Sequence, residues 1–225
     1  MKEKTRQLKT PIGLFLLFIL YTICLTLIDV QKVGPRNSEI GFATMNQYLL
    51  KKIGVSSFWY QVTEVLGFFP LLMMGYFALR GFLQLCGRRK LTLVDREILN
   101  LGFLYAGVAV FYILFEKVVI NYRPILVEGQ LEASYPSSHT FLAITVLLSA
   151  FYVLKKDEGR FKRIIAYVSL IGMFGIIIGR ILSGAHWVTD VFGGILLGLS
   201  LVNFYTAASK SHVKHKKRTL ISQRS

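Results

Sequence analysis

Six long apolar runs, separated by short polar or charged stretches, set the pattern of this chain. They are Pro11 to Ile28, about Val62 to Leu85, Ile98 to about Ile120, Thr140 to Leu154, Ile164 to Leu182, and about Val188 to Ala208. Most approach the ~20 residues that an α-helix needs to cross hydrocarbon. Between the first two runs lies a mixed stretch, 29–61, in which Ile40, Met45, Tyr48, Leu49 and Ile53 recur at roughly helical spacing. That spacing predicts a helix lying in the membrane interface. The expected fold is therefore all-α: a polytopic membrane protein with six transmembrane helices, forming one membrane-embedded domain over 1–225.

Composition agrees with this pattern. Of 225 residues, 53% are hydrophobic, and the mean hydropathy is +0.52. A water-soluble domain of this length is less apolar. The chain has 27 Lys+Arg against 12 Asp+Glu, a net charge of +15. These cations cluster before the first run (Lys2, Lys4, Arg6, Lys9), at Arg88-Arg89-Lys90, between Lys155 and Arg163, and in a basic tail over 209–225 (Lys210, Lys214, Lys216, Lys217, Arg218). With six spans, all four clusters fall on one side. The positive-inside rule makes that side cytoplasmic, with both termini there, and explains the charge without nucleic acid as a partner. The first run has the charged flank of a signal peptide. No small-residue cleavage site follows Leu27-Ile28-Asp29, so it reads as an uncleaved anchor. Cys24 and Cys86 have neither a C-x-x-C partner nor metal spacing and read as small hydrophobes. No oligomeric state is legible.

The chemistry lies in three clusters: Arg123-Pro124, then Pro136-Ser137-Ser138-His139, then Arg180 with His186 and Asp190. In the six-span topology all of them reach the same, extracytoplasmic face, whereas incidental polar residues would scatter over both. Arginine forks bind phosphoryl oxygens. One histidine can attack phosphorus and another can protonate the leaving oxygen. His186 and Asp190 are four apart, so on a helix starting near His186 they share a face. The carboxylate is then expected to accept the Nδ1 hydrogen and free Nε2 as the nucleophile. Arg180 sits late in an apolar run, where an arginine is costly. Ser137 and Ser138 open a helix whose unpaired N–H groups suit an oxyanion. His139, beside that nest, is the candidate general acid. Lys117, ending the third run, is a candidate phosphate ligand or an interface anchor. Gly194-x-x-x-Gly198 reads as helix packing, and Glu64 as a side chain near a span end that snorkels. No H-E-x-x-H, P-loop or zinc spacing appears, so neither metal nor cofactor is needed.

On these residues the chain resembles the type 2 phosphatidic acid phosphatase superfamily, whose pattern is K-x6-R-P, P-S-G-H and S-R-x5-H-x3-D. Its counterparts here are Lys117-x5-Arg123-Pro124, Pro136-Ser137-Ser138-His139 and Gly179-Arg180-x5-His186-x3-Asp190, over a core of 117–190. Three departures stand out: Lys117 is one residue too close to Arg123, Ser138 replaces glycine, and Gly179 replaces serine. The resemblance implies that His186 becomes phosphorylated with Asp190 in support, and that His139 protonates the leaving group. It also implies that Lys117, Arg123, Ser138 and Arg180 hold the phosphate. The expected activity is hydrolysis of a membrane lipid phosphate or pyrophosphate of the undecaprenyl pyrophosphate, phosphatidylglycerophosphate or phosphatidic acid class. The alternatives are a lipid phosphotransferase using the same histidine and a non-catalytic membrane binding or transport protein.

Overall fold

Each long apolar run is a helix in the computed structural model, which describes the backbone of residues 2–222 and the side chains of residues 7–209. The basic clusters at Lys2–Arg6 and in the C-terminal tail thus lie outside the described side chains. The helices are α1 (Lys2–Leu27), α2 (Ala43–Ile53), α3 (Ser57–Arg88), α4 (Arg96–Lys117), α5 (Ser138–Ala143), α6 (Ser149–Leu154), α7 (Arg160–Ser183) and α8 (Val188–Ser222). One π-helical stretch, Ile144–Leu148, joins α5 to α6. A two-residue hairpin, β1 (Gln31–Lys32) with β2 (Glu39–Ile40), accounts for the strands.

Among the described residues, five helices are long and apolar enough to cross a bilayer: Gln7–Leu27, Ser57–Arg88, Arg96–Lys117, Arg160–Ser183 and Val188–Ser209. The expected fourth span is a shorter apolar helix, Ser138–Leu154. Its Ala143, Val146, Leu147 and Ala150 are fully buried, because α3, α7 and α8 pack around it. Walled in by protein, it need not match the hydrocarbon thickness by itself. Lipid-facing side chains such as Leu20, Phe68, Leu72, Phe103 and Ile171 are exposed. That is the inverse of a soluble fold and is stable only with lipid around it. More than half of the α8 span is buried (56%), against 17–33% for the other four. So α8 is the central helix, packed by α1, α4 and α5. Gly194 and Gly198 allow that packing: a Cβ would lie 2.9 Å from the Ser137 carbonyl oxygen and from Ile144, respectively.

A helix does form in the 29–61 stretch, as α2, and with the hairpin it caps one end of the bundle. Asp29 accepts from the backbone N–H of Thr44 at 2.7 Å, satisfying a first-turn donor. Gly54 at φ +79° ends the helix. Asn46 donates to the Gly41 carbonyl and to Thr189 Oγ1, both at 2.9 Å, tying the cap to the first turn of α8. Gly41 is required there, since a Cβ would lie 1.8 Å from the Leu25 carbonyl oxygen. The second span starts at Ser57 rather than near Val62, because Ser56 occupies the N-cap and accepts from Trp59 N–H.

The starts of α3, α5 and α8 and the ends of α4 and α7 meet under this cap. The 88–95 and 155–159 turns lie at the opposite end. In a background with Cys24 and Cys86 replaced by serine, single cysteines at Glu128 and Glu158 should react with an impermeant thiol reagent from opposite sides. Only one should label in intact cells, and both once the membrane is opened. Equal labelling of both in intact cells would overturn this arrangement.

Candidate active site

The site is assembled at the start of α8. Asp190 lies in its first turn, where a carboxylate interacts favourably with the helix dipole, and it is fully buried. A buried carboxylate is tolerated when its oxygens are hydrogen-bonded. Here Asn121 Nδ2 donates to Oδ1 at 3.0 Å, Trp187 N–H donates to Oδ2 at 3.0 Å, and the Ser134 hydroxyl donates to Oδ2.

The direct His186–Asp190 bond expected from the four-residue spacing is absent. His186 precedes the first helical residue, Val188, and its Nδ1 stands 4.0 Å from Asp190 Oδ2. Nδ1 instead lies 3.1 Å from the Ser134 carbonyl oxygen and 3.1 Å from the Ser134 hydroxyl. A carbonyl only accepts, so Nδ1 carries the hydrogen and Nε2 keeps a lone pair. That Nε2 is buried without a hydrogen-bond partner. His186 lies in the turn between α7 and α8; burial above all, then the charges of Arg123 and Arg180, hold its pKa well below the ordinary histidine value. The ring is neutral at pH 7.

A second cluster surrounds Arg180, which is fully buried. Its Nη1 donates to Glu64 Oε1 and Thr63 Oγ1, both at 3.0 Å, and its Nη2 donates to His139 Nδ1 at 2.8 Å. The Tyr60 ring lies 5.5 Å from the guanidinium carbon. Because Nδ1 of His139 accepts, its proton sits on Nε2, 3.6 Å from Glu64 Oε1. Glu64, half-exposed, is therefore held by Arg180 rather than left free to snorkel: the buried guanidinium needs a counter-charge. Gly179 serves this contact. A Cβ there would lie 2.4 Å from the Thr63 methyl, so its role is close approach of α7 to α3.

Two cavities meet at this point. A polar one of about 210 Å³ is lined by His186, Arg123, Glu132, Ser134 and Ser138 among others. An apolar groove of about 500 Å³ between α3 and α4 is lined by Phe68, Leu71 and Ile113, with His139 and Glu64 at its end. Tyr112, Ser138 and Phe141 line both.

The other expected ligands divide. Arg123 Nε lies 3.1 Å from Glu132 Oε2, while its Nη1 is buried without a hydrogen-bond partner. Ser138 faces both cavities, but Ser137 lines neither; its hydroxyl accepts from Thr140 at 3.1 Å and its N–H donates to the Asp190 carbonyl at 2.9 Å. Lys117 is exposed at the end of α4 and lines neither cavity. Among the described residues, no group of three or more His, Cys, Asp or Glu is placed to hold a metal ion.

Ser134, Asn121, Glu64 and Thr63 are site neighbours that motif reading missed. Glu64 carried a signal, a carboxylate inside an apolar run. Asn121 and Ser134 carried none, being polar residues in a polar loop.

Residues 111–213 match the PAP2 superfamily, so the resemblance drawn from the three motifs holds for the segment that contains them. The chain is 32% identical over 103 residues to the bacitracin transport permease protein BcrC of Bacillus licheniformis. That match covers 41% of this chain and 47% of BcrC, so the chain spans about half the length of this relative. The fold is similar to the crystal structure of a transmembrane PAP2-type phosphatidylglycerolphosphate phosphatase from Bacillus subtilis. The TM-score is 0.62, at 18% identity, over 89% of this chain and 96% of that one. The chain is a multi-pass membrane protein with that helical architecture.

Replacing Glu64 tests the second cluster. Glu64→Ala strands the buried Arg180 charge and should cost on the order of 1–3 kcal/mol. In detergent that is a Tm lower by several degrees. Glu64→Gln, which keeps an acceptor, should lose less.

Proposed function

With residues 111–213 matching the PAP2 superfamily, we propose that this chain is a metal-independent lipid phosphate phosphatase acting through a phosphohistidine at His186. The observation that carries the reading is the meeting of the two cavities. His186, with Nε2 unpaired, lines a polar pocket of about 210 Å³, large enough for a phosphate. That pocket opens beside an apolar groove with His139 at its end. A phosphate head and a lipid tail fit these two environments without either being forced into the wrong one.

In the first half-reaction, Nε2 of His186 forms a bond to phosphorus as the bond to the leaving oxygen breaks. That oxygen takes the Nε2 proton of His139, which enters the step as the imidazolium, with a proton on Nδ1 in place of the Arg180 contact, and leaves it neutral. In the second half, water attacks phosphorus, its proton passes to His139, and the nitrogen–phosphorus bond breaks to release inorganic phosphate. Arg123, which lines the polar pocket, offsets the charge that develops on the equatorial oxygens, Arg180 adds its charge from behind His139, and N–H groups at the start of α5 add donors beside Ser138. Asp190 supports the imidazolium. Ser137 is a positioning contributor in this scheme, and Lys117 stays at the membrane boundary.

The substrates in view are undecaprenyl pyrophosphate, phosphatidylglycerophosphate and phosphatidic acid. A lipid hydroxyl replacing water in the second half would make the enzyme a phosphotransferase, with the first half unchanged. We place the site on the extracytoplasmic face, with both termini cytoplasmic, because the cation-rich 88–90 and 155–163 segments lie at the opposite end. A cysteine at Glu128 should then be the one labelled from outside.

Purified protein in detergent should release phosphate from one or more of these lipids. His186→Ala should reduce turnover by at least about a thousandfold while leaving Tm near wild type. Residual activity within tenfold of wild type would refute the mechanism.

Activity should persist in excess chelator, since the residues named supply nucleophile, acid and charge compensation. Vanadate should inhibit by forming a trigonal-bipyramidal adduct on His186. An absolute requirement for an added divalent ion would mean that the site works otherwise.

A further inference from the structure

Ser134 stands where the spacing of the motifs puts a direct histidine–carboxylate contact. It is 2% exposed and uses three groups at once. Its backbone N–H donates to the Asn121 carbonyl at 2.9 Å. Its own carbonyl lies 3.1 Å from His186 Nδ1. Its hydroxyl donates to Asp190 Oδ2. Asp190 in turn is held by Asn121 and Trp187. Asn121 also accepts, at 3.3 Å, from the backbone N–H of Gly41 in the cap. A nitrogen–oxygen separation of 4.0 Å is beyond hydrogen-bond range, so Asp190 makes no hydrogen bond to the ring.

We propose that Ser134 is the positioning residue of the nucleophile: Asp190 acts on His186 through the Ser134 main chain and hydroxyl rather than by bonding the imidazole itself. The inference rests on the phosphatase reading for its kinetic arm only. The physical argument concerns the proton on Nδ1. Attack by Nε2 requires Nδ1 to be protonated before the step and to stay so, because the ring turns cationic as the nitrogen–phosphorus bond forms. The Ser134 carbonyl accepts that hydrogen in both states. Its position is set by the hydroxyl bond to Asp190 on one side and the N–H bond to Asn121 on the other. Asp190, held by three other donors, fixes the carbonyl that does the holding. The two carboxylate oxygens thereby connect the α8 turn, the 121–134 loop and the cap to one imidazole.

The experiment has two arms on the full-length chain in detergent. In the kinetic arm, Ser134→Ala should lower kcat about 10- to 100-fold, the usual range for a partner that orients a ligating or reacting histidine, with KM changed less than about threefold. Ser134→Thr, which keeps the hydroxyl, should recover most of that loss. The Ser134→Ala/Asp190→Asn double variant should be little worse than Asp190→Asn alone, because both act through one connection. Losses that multiply would show that Asp190 reaches His186 independently, and wild-type kcat in Ser134→Ala would overturn the proposal outright. Tm of each variant separates these outcomes from misfolding.

The second arm needs no activity. Ring ¹⁵N NMR, with His186 assigned by the signal lost in His186→Gln, should show the Nδ1–H tautomer in the wild type. In Ser134→Ala it should show a mixture of tautomers. An unchanged tautomer would refute the role of Ser134. A wild-type protein that releases no phosphate from any lipid would instead refute the phosphatase reading and leave this arm to decide on Ser134.

Discussion

The buried carboxylate of Asp190 is the constraint on which the rest of the site depends. Its ionised form is stable in the interior only while its oxygens have donors. Those donors come from two separate parts of the chain: Asn121 and Ser134 from the loop before α5, and Trp187 from the turn before α8. Satisfying one charge therefore fixes the loop, the turn and the helix start relative to each other. Through Asn121 the constraint reaches the cap at Gly41, and through Ser134 it reaches His186. A single unmet donor would be felt at His186.

Arg180 applies the same logic with the sign reversed. A guanidinium with no exposed surface needs acceptors, and it finds Glu64 and Thr63 on α3 and Nδ1 of His139 on α5. Meeting that need sets the tautomer of His139 and draws α3 against α7. Both histidines are thus put in a defined protonation state by the neighbours of a buried ion, one by a carboxylate acting at a remove and the other by an arginine in direct contact. Ser138, at the start of α5, lines both cavities. The polar chemistry is held at the membrane end of an otherwise apolar bundle.

The lipid-facing surface makes the opposite demand. α1, α3, α4 and α7 expose large apolar side chains, while the polar network lies inside under the cap. Packing in such an interior relies on close approach rather than on expulsion of water. Gly179, Gly194 and Gly198 allow it where a Cβ would collide with Thr63, the Ser137 carbonyl and Ile144.

How much of this was legible beforehand follows from the range of each signal. Hydrophobic run length is a local property, so the helices, their all-α class and the existence of α2 could be read from the chain. The spacings of Arg180, His186 and Asp190 are local too, and they marked one end of the bundle as the place where the candidate site residues gather. Contacts between distant segments are not local. Nothing in the spacing shows that Ser134 would come between His186 and Asp190, that Glu64 would be held by Arg180, or that Lys117 would stay outside the cavities. Those outcomes were decided when the helices packed, because each buried charge had to take whichever partners the neighbouring helices brought within hydrogen-bonding distance.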